Sequence, residues 1–542
     1  MERTPIATYT HDGNGLLTAA THALGTETYG RNGRGQVTQQ NWYDGLSMSF
    51  AYDAAGQQTG MVYPDGSGAT YTYDSRGRVS AIAWKGETIE MSYDAVGNLT
   101  KEERSNGIDT AVTYDKNSLA TRIRHYSASE TLLDLTCTRN SLGLINELNQ
   151  TGTAVAWVPE LLAGDTSAQY TYNRSFTLSS FNGAAAATDT GGNQTEIPGD
   201  RSFSGTFDHR DLLTDWSTRK AGHQAVYDGR RRLIEWTSDG SVRRFHYDEQ
   251  GRLLFETDGS NALKAMWLYR GGQIVAMADA SGVCFYHNDL SVNVSFLSDE
   301  DARIAATYRY LPYGLQTASE STVANPFTFV GTYGVIDLGE GLYYMGSRTY
   351  DAVTAAFLSN DPVGMGVTVN ARQYAYNDPV NYIDPDGQWG YLAKVSANGA
   401  VQPKTAADLN RGVTSYTYNQ PRMKGSNTDP CTVFRDALTA ATTKLGKIGT
   451  AAGVTLVMDH LMQGNYGDAF LEGAGVAIGA ASRVGGVVGN FMQAKRCGPK
   501  NDAEERAVIE KFKNDPNSYY NKHVIKKPDS YEFTLPPFSL DE

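Results

Sequence analysis

Ala69-Thr70-Tyr71-Thr72-Tyr73-Asp74-Ser75-Arg76-Gly77-Arg78-Val79 alternates residue by residue and then breaks into a polar turn. Alternation of period two marks a strand with one buried face. Asp and Gly suit the turn: Asp bonds nearby backbone amides, and Gly accepts a positive φ. Val79 then opens the next strand. The unit Tyr-Asp-x-x-Gly-x-(Leu/Val), with departures at single positions, recurs at Tyr52-Asp53, Tyr93-Asp94, Phe207-Asp208, Tyr227-Asp228 and Tyr247-Asp248, in degenerate form at Tyr114-Asp115, and in weaker form at His11-Asp12 and Asn32. From Asp12 to Asp115 the turn positions are 20 or 21 residues apart, and from Asp208 to Asp248 they are 20 apart. A fixed period of this length indicates an array of β-hairpins. Each hairpin is marginal alone and needs its neighbours for a core. Residues 120–205 carry only faint copies, such as Tyr172-Asn173, and read as diverged repeats.

Composition agrees with many short strands. The 542 residues include 56 Gly and 33 Tyr but only 17 Pro, and 40% are hydrophobic, which excludes wholesale disorder. The net charge of -13 argues against nucleic-acid binding by the chain as a whole. That charge is unevenly placed. Residues 390–542 hold 18 Lys and Arg against 15 Asp and Glu, and the residues before them hold 29 against 45. Such asymmetry points to two parts with different roles. Four widely separated cysteines, Cys137, Cys284, Cys431 and Cys497, form no CxxC or Cys/His pattern, so neither a zinc site nor a disulfide framework is expected; no cofactor motif is found either. The polar N-terminus has no apolar run of the signal-peptide kind, so if the protein leaves the cell a dedicated machine or a larger precursor is expected to carry it.

The repeats resemble the YD repeats of the Rhs/YD-repeat family, which includes bacterial polymorphic toxins, the C component of Tc toxin complexes and the teneurins. A second signature strengthens the resemblance. Tyr286-His287-Asn288-Asp289-Leu290 is similar to YHxDHLGS, without the second His and the Gly-Ser, and Tyr308-Arg309-Tyr310-Leu311-Pro312-Tyr313-Gly314 is similar to YxYxP(Y/F)G. Phe357-Leu358-Ser359-Asn360-Asp361-Pro362-Val363-Gly364 matches FLSxDPxG, and Asn377 to Gly387 matches NNPVNYxDPxG. The resemblance implies a mainly β chain whose ribbon spirals into a hollow shell. It divides the chain into repeats (1–267), a repeat-associated core (268–388) and a variable C-terminal domain (389–542).

Two carboxylates carry the expected chemistry. A pair of Asp side chains can hydrolyse a peptide, one taking a proton from water and the other protonating the leaving amine. By resemblance to self-cleaving family members these are Asp361 and Asp384, oriented by Arg348, and the bond cut is Gln388–Trp389. Gln388 stands where the family usually has Leu or Met, and residues 350–357 depart from the usual YDPxTGRF. A purely structural reading remains beside this one: Asp-Pro commonly starts a turn, and Arg348 would be a strand salt bridge.

After Gly387 the pattern turns helical. Asp429-Pro430 reads as a helix start, with helices expected over 431–462, 468–495 and 501–513 and a strand or extended arm at 531–538. Residues 448–494 read either as a membrane-inserting pair or as a tightly packed soluble pair, given Gly475-xxx-Gly479 and Gly485-xxx-Gly489. The small basic cluster around Lys526-Lys527 reads first as a solvated patch. The expected function is that of an Rhs-type toxin or Tc C component: a shell encloses a C-terminal effector, frees it by self-cleavage, and is delivered into a target cell. Expected partners are a second shell-forming protein like the Tc B component or a secretion spike, and an immunity protein. The start in mid-repeat leaves a sheet edge that favours such a partner. The competing readings are a carbohydrate-binding surface adhesin and an inactive orphan fragment.

Overall fold

A computed structural model describes residues 7–154, 169–173, 177–199, 201–362, 370–388, 391–392, 525–527 and 530–532. The expected C-terminal helices fall outside these residues. After residue 392 the described structure is one antiparallel pair, Ile525–Lys527 with Ser530–Glu532. Among the described residues no helix is long and apolar enough to cross a membrane. The chain divides into two compact units, Met1–Ser415 and Tyr416–Glu542, and the first holds both large sheets and all three predicted site residues.

The described chain is mainly β. Two 14-stranded antiparallel sheets, each strand paired with its sequence neighbours, run from Thr8–His11 to Ile145–Thr151 and from Ala187–Thr188 to Gln316–Ser321. The second sheet crosses residue 268 without a break. A three-stranded sheet over 170–185 lies between them in sequence, and a four-stranded sheet over 336–357 follows.

The repeat signature explains itself in hydrogen bonds. The turn Asp presents Oδ1 to amides two and four residues on, as Asp74 does to Arg76 (2.9 Å) and Arg78 (3.0 Å). The Gly supplies a left-handed backbone, with φ of +78° at Gly77 and +86° at Gly251. The Tyr hydroxyl reaches back across the sheet to an earlier strand's first carbonyl: Tyr93 to Val79 at 2.8 Å, Tyr114 to Leu99 at 2.8 Å and Tyr247 to Leu233 at 2.8 Å. The same turn recurs at Asn140 and Asp189, with Gly143 and Gly192 left-handed, and Asn173 likewise accepts the amide of Thr177 four residues on.

The two sheets pack face to face. Strands of the first alternate exposed and buried, as in Gly68–Tyr73, where Ala69 and Tyr71 point inward. Central strands of the second, such as Gln273–Asp279 and Gly282–Asn288, are buried along nearly their whole length, which means both faces are covered. Contacts follow one order. Gln40 donates to the Tyr247 carbonyl (2.8 Å), Tyr63 to that of Trp267 (2.8 Å) and His125 Nε2 lies 2.8 Å from that of Asn288. Both layers therefore advance in the same direction, as a ribbon does when it coils over itself rather than folding back.

Candidate functional site

Arg348 opens the strand Arg348–Asp351, which pairs with Leu342–Met345 through the two-residue turn Gly346-Ser347. Onto that turn folds Asp384-Pro385-Asp386-Gly387. Ser347 donates its amide to the Asp386 carbonyl (3.1 Å), and its Oγ lies 2.7 Å from the same oxygen and 3.1 Å from the Gly387 carbonyl. Gly387 has φ of +64°, and a Cβ there would lie 2.5 Å from the Met345 oxygen, so only Gly fits. The third segment carries Asp361, whose amide donates to the Ala371 carbonyl (3.0 Å).

These segments bring the three predicted side chains together. One nitrogen of Arg348, Nη2, lies 3.2 Å from Asp361 Oδ2 and 3.3 Å from Asp384 Oδ2. The Arg348 side chain is 1% exposed, that of Asp384 4% and that of Asp361 14%, so little solvent screens the triad. The guanidinium lies over the Phe357 ring, 3.6 Å from its centre, and donates through Nη1 to the Ala371 carbonyl (2.8 Å). Burial lowers the Arg348 pKa from its ordinary value, opposed by Asp384 and Asp361. A cation between two carboxylates offsets their mutual repulsion and lets both sit at one place.

The backbone beside the predicted cleavage point is gripped at both poles. The Gly387 carbonyl accepts from Arg348 Nε (2.5 Å), and the Gln388 amide donates to Asp384 Oδ1 (3.0 Å) and Asp386 Oδ1 (3.0 Å). Tyr382–Ile383 then pairs with Tyr391–Leu392, so Gln388 lies in the loop of a hairpin. Trp389 lies outside the described residues. Sequence reasoning missed Ser347, Asp386 and Phe357. Adjacency to Arg348 and membership of the DPxG turn were the available signals for the first two; nothing in the sequence tied Phe357 to Arg348.

Other core-motif residues are structural. His287 is buried, 2.8 Å from Ser298 Oγ and 3.3 Å from His125, and Asp289 builds a turn of the repeat type. Asp351 binds Arg201 with both oxygens, at 2.7 and 2.8 Å.

Residues 52–88 match the RHS Repeat family model. The tRNA3(Ser)-specific nuclease WapA of Bacillus spizizenii is 31% identical over 240 residues, which are 41% of this chain and 10% of that protein. Toxin subunit YenC2 of Yersinia entomophaga is 29% identical over 103 residues, 19% of this chain and 11% of that one. The chain thus spans about a tenth of the length of these relatives. Among solved structures, the crystal structure of TcdB2-TccC3-TEV overlaps 70% of this chain and 25% of its own, at 15% identity and a TM-score of 0.47. That overlap is too loose to define the fold, which rests on the strand pairing above. Residues 52–88 thus carry an RHS repeat, and the strand-turn units on either side of them share its hydrogen-bonded turn.

Proposed function

We propose that this chain is an RHS-type toxin component whose residues 1–388 form a container that cuts itself at Gln388–Trp389, freeing residues 389–542 as an effector. The observation that carries the reading is the shared Arg348 nitrogen: a buried carboxylate, Asp384, and a partly buried one, Asp361, meet on it from separate motifs, and Asp384 also holds the Gln388 amide. In the hydrolysis one carboxyl group takes a proton from water as the oxygen attacks the Gln388 carbonyl carbon. The other gives a proton to the Trp389 nitrogen as the C–N bond breaks. Arg348 keeps the pair in place. Toxin relatives such as YenC2 support the toxin family as the setting. The C-terminal activity, the second shell protein and the immunity partner belong to the same proposal.

The test is to purify the full chain and measure fragment masses. A fragment ending at Gln388 is expected, and Asp384→Asn or Asp361→Asn should leave the chain whole, slowed by about three orders of magnitude or more. A wild-type chain that stays intact on long incubation overturns the reading.

A further inference from the structure

The repeat Tyr227-Asp228-Gly229-Arg230-Arg231-Arg232-Leu233 places Arg231 where the unit calls for Gly. Arg231 nevertheless keeps the left-handed backbone, with φ of +70°. A side chain at that φ is strained, by roughly 1 kcal/mol relative to Gly. Burial adds a second cost, since Arg231 Nε is buried with no hydrogen-bond partner among the described residues. The repeat gains nothing visible from either.

What the arginine reaches is the turn that forms the candidate site. Its Nη2 donates to the Ser347 carbonyl at 3.0 Å. Its own carbonyl lies 2.6 Å from the Tyr344 hydroxyl, which also accepts from the Leu233 amide (3.2 Å) and contacts the Gly346 carbonyl. Gly346 and Ser347 are thus moored to a repeat turn from both sides. Ser347 and Arg348 in turn hold Asp386 and Gly387. A second repeat turn supports the Asp361 segment: Gln194 donates its amide to the Leu358 carbonyl (2.7 Å), and Asn360 donates to that of Gly191 (3.3 Å).

We propose that Arg231 is a positioning residue for self-cleavage, which couples the carboxylate site to the second sheet so that the chain cuts itself only after its container has formed. The proposal rests on the self-cleavage reading above. Before the sheet forms, the Gly346-Ser347 turn still bonds Asp386 and Gly387 but has no anchor at Arg231, so the strand that carries Arg348 can shift against the Asp361 segment. Misplacement of about an ångström costs up to a hundredfold in rate.

Arg231→Gly tests this, because it restores the repeat's own residue. A merely structural arginine would lose stability and activity together. The coupling demands opposite signs. In the full chain, Arg231→Gly should melt no lower than wild type and cut itself ten- to a hundredfold more slowly. Arg231→Lys, which retains a donor, should recover part of the rate. Cleavage of Arg231→Gly at the wild-type rate overturns the proposal alone, as does slowing matched by a lower melting temperature in both variants. A wild-type chain that never cleaves, alongside an intact Asp384→Asn control, overturns the underlying reading instead.

Discussion

At the scale of single residues, two backbone positions make the sharpest claims. Gly387 combines a left-handed φ with a Cβ position 2.5 Å from the Met345 oxygen, a backbone atom that cannot swing aside. Gly387→Ala should therefore displace the DPxG turn, cost ~2 kcal/mol or more, and abolish cutting near Gln388, as read by fragment mass. Ala355 is the opposite case. It holds φ of +56° where the family pattern YDPxTGRF has Gly, and Ala there is strained. Ala355→Gly should raise stability by ~1 kcal/mol in denaturant unfolding, without altering the cleavage rate. That Arg348, Asp361 and Asp384 belong together was expected from the resemblance of their motifs, and the three side chains do meet. Ser347 and Arg231 were not, because their partners lie 39 and 116 residues away in the chain.

At the scale of elements, the hairpin unit was legible almost completely. Period-two alternation, the Asp turn and the Gly are local properties. The Tyr was visible only as a recurrent letter. Its purpose is a hydrogen bond 14 residues back, as from Tyr247 to the Leu233 carbonyl, with both groups buried. Tyr247→Phe should cost ~1 kcal/mol by removing the donor and leaving that carbonyl short of a partner. Between the sheets, His125 and His287 form a buried pair edge to face, with ring centres 5.0 Å apart. Burial pushes His125 down to about 3, with Arg104 adding in the same direction against a hydrogen bond to Asn288, and it pushes His287 well below the ordinary histidine range. The folded chain refuses protons that the unfolded chain accepts below about pH 6.5. Stability is thus whole above that pH and falls as the pH drops toward 3, by up to ~1.4 kcal/mol per unit for each ring. Urea melts from pH 7.5 to 5 should show the decline, and His125→Asn should flatten it. A flat wild-type profile would count against the pair as its source.

At the scale of the whole molecule, the prediction concerns the division at Gly387. The repeats and core carry the acidic balance, and the residues after them are near neutral. If the latter are an effector, producing residues 389–542 in bacteria should arrest growth, while the full-length Asp384→Asn chain should not. Normal growth with soluble yield from both would point to a binding protein instead.

Sequence alone determined the strand-turn period and the mainly β class, because each follows from residues within about twenty positions of one another, whereas Asp361 and Asp384 were singled out by the resemblance of their motifs. Only the tertiary structure decided the rest. It placed Asp361 and Asp384 on one nitrogen of Arg348, set the two sheets face to face in the same order, and anchored the site to a repeat turn through Arg231. Those arrangements depend on which distant segments share a buried face, and local spacing holds no record of that.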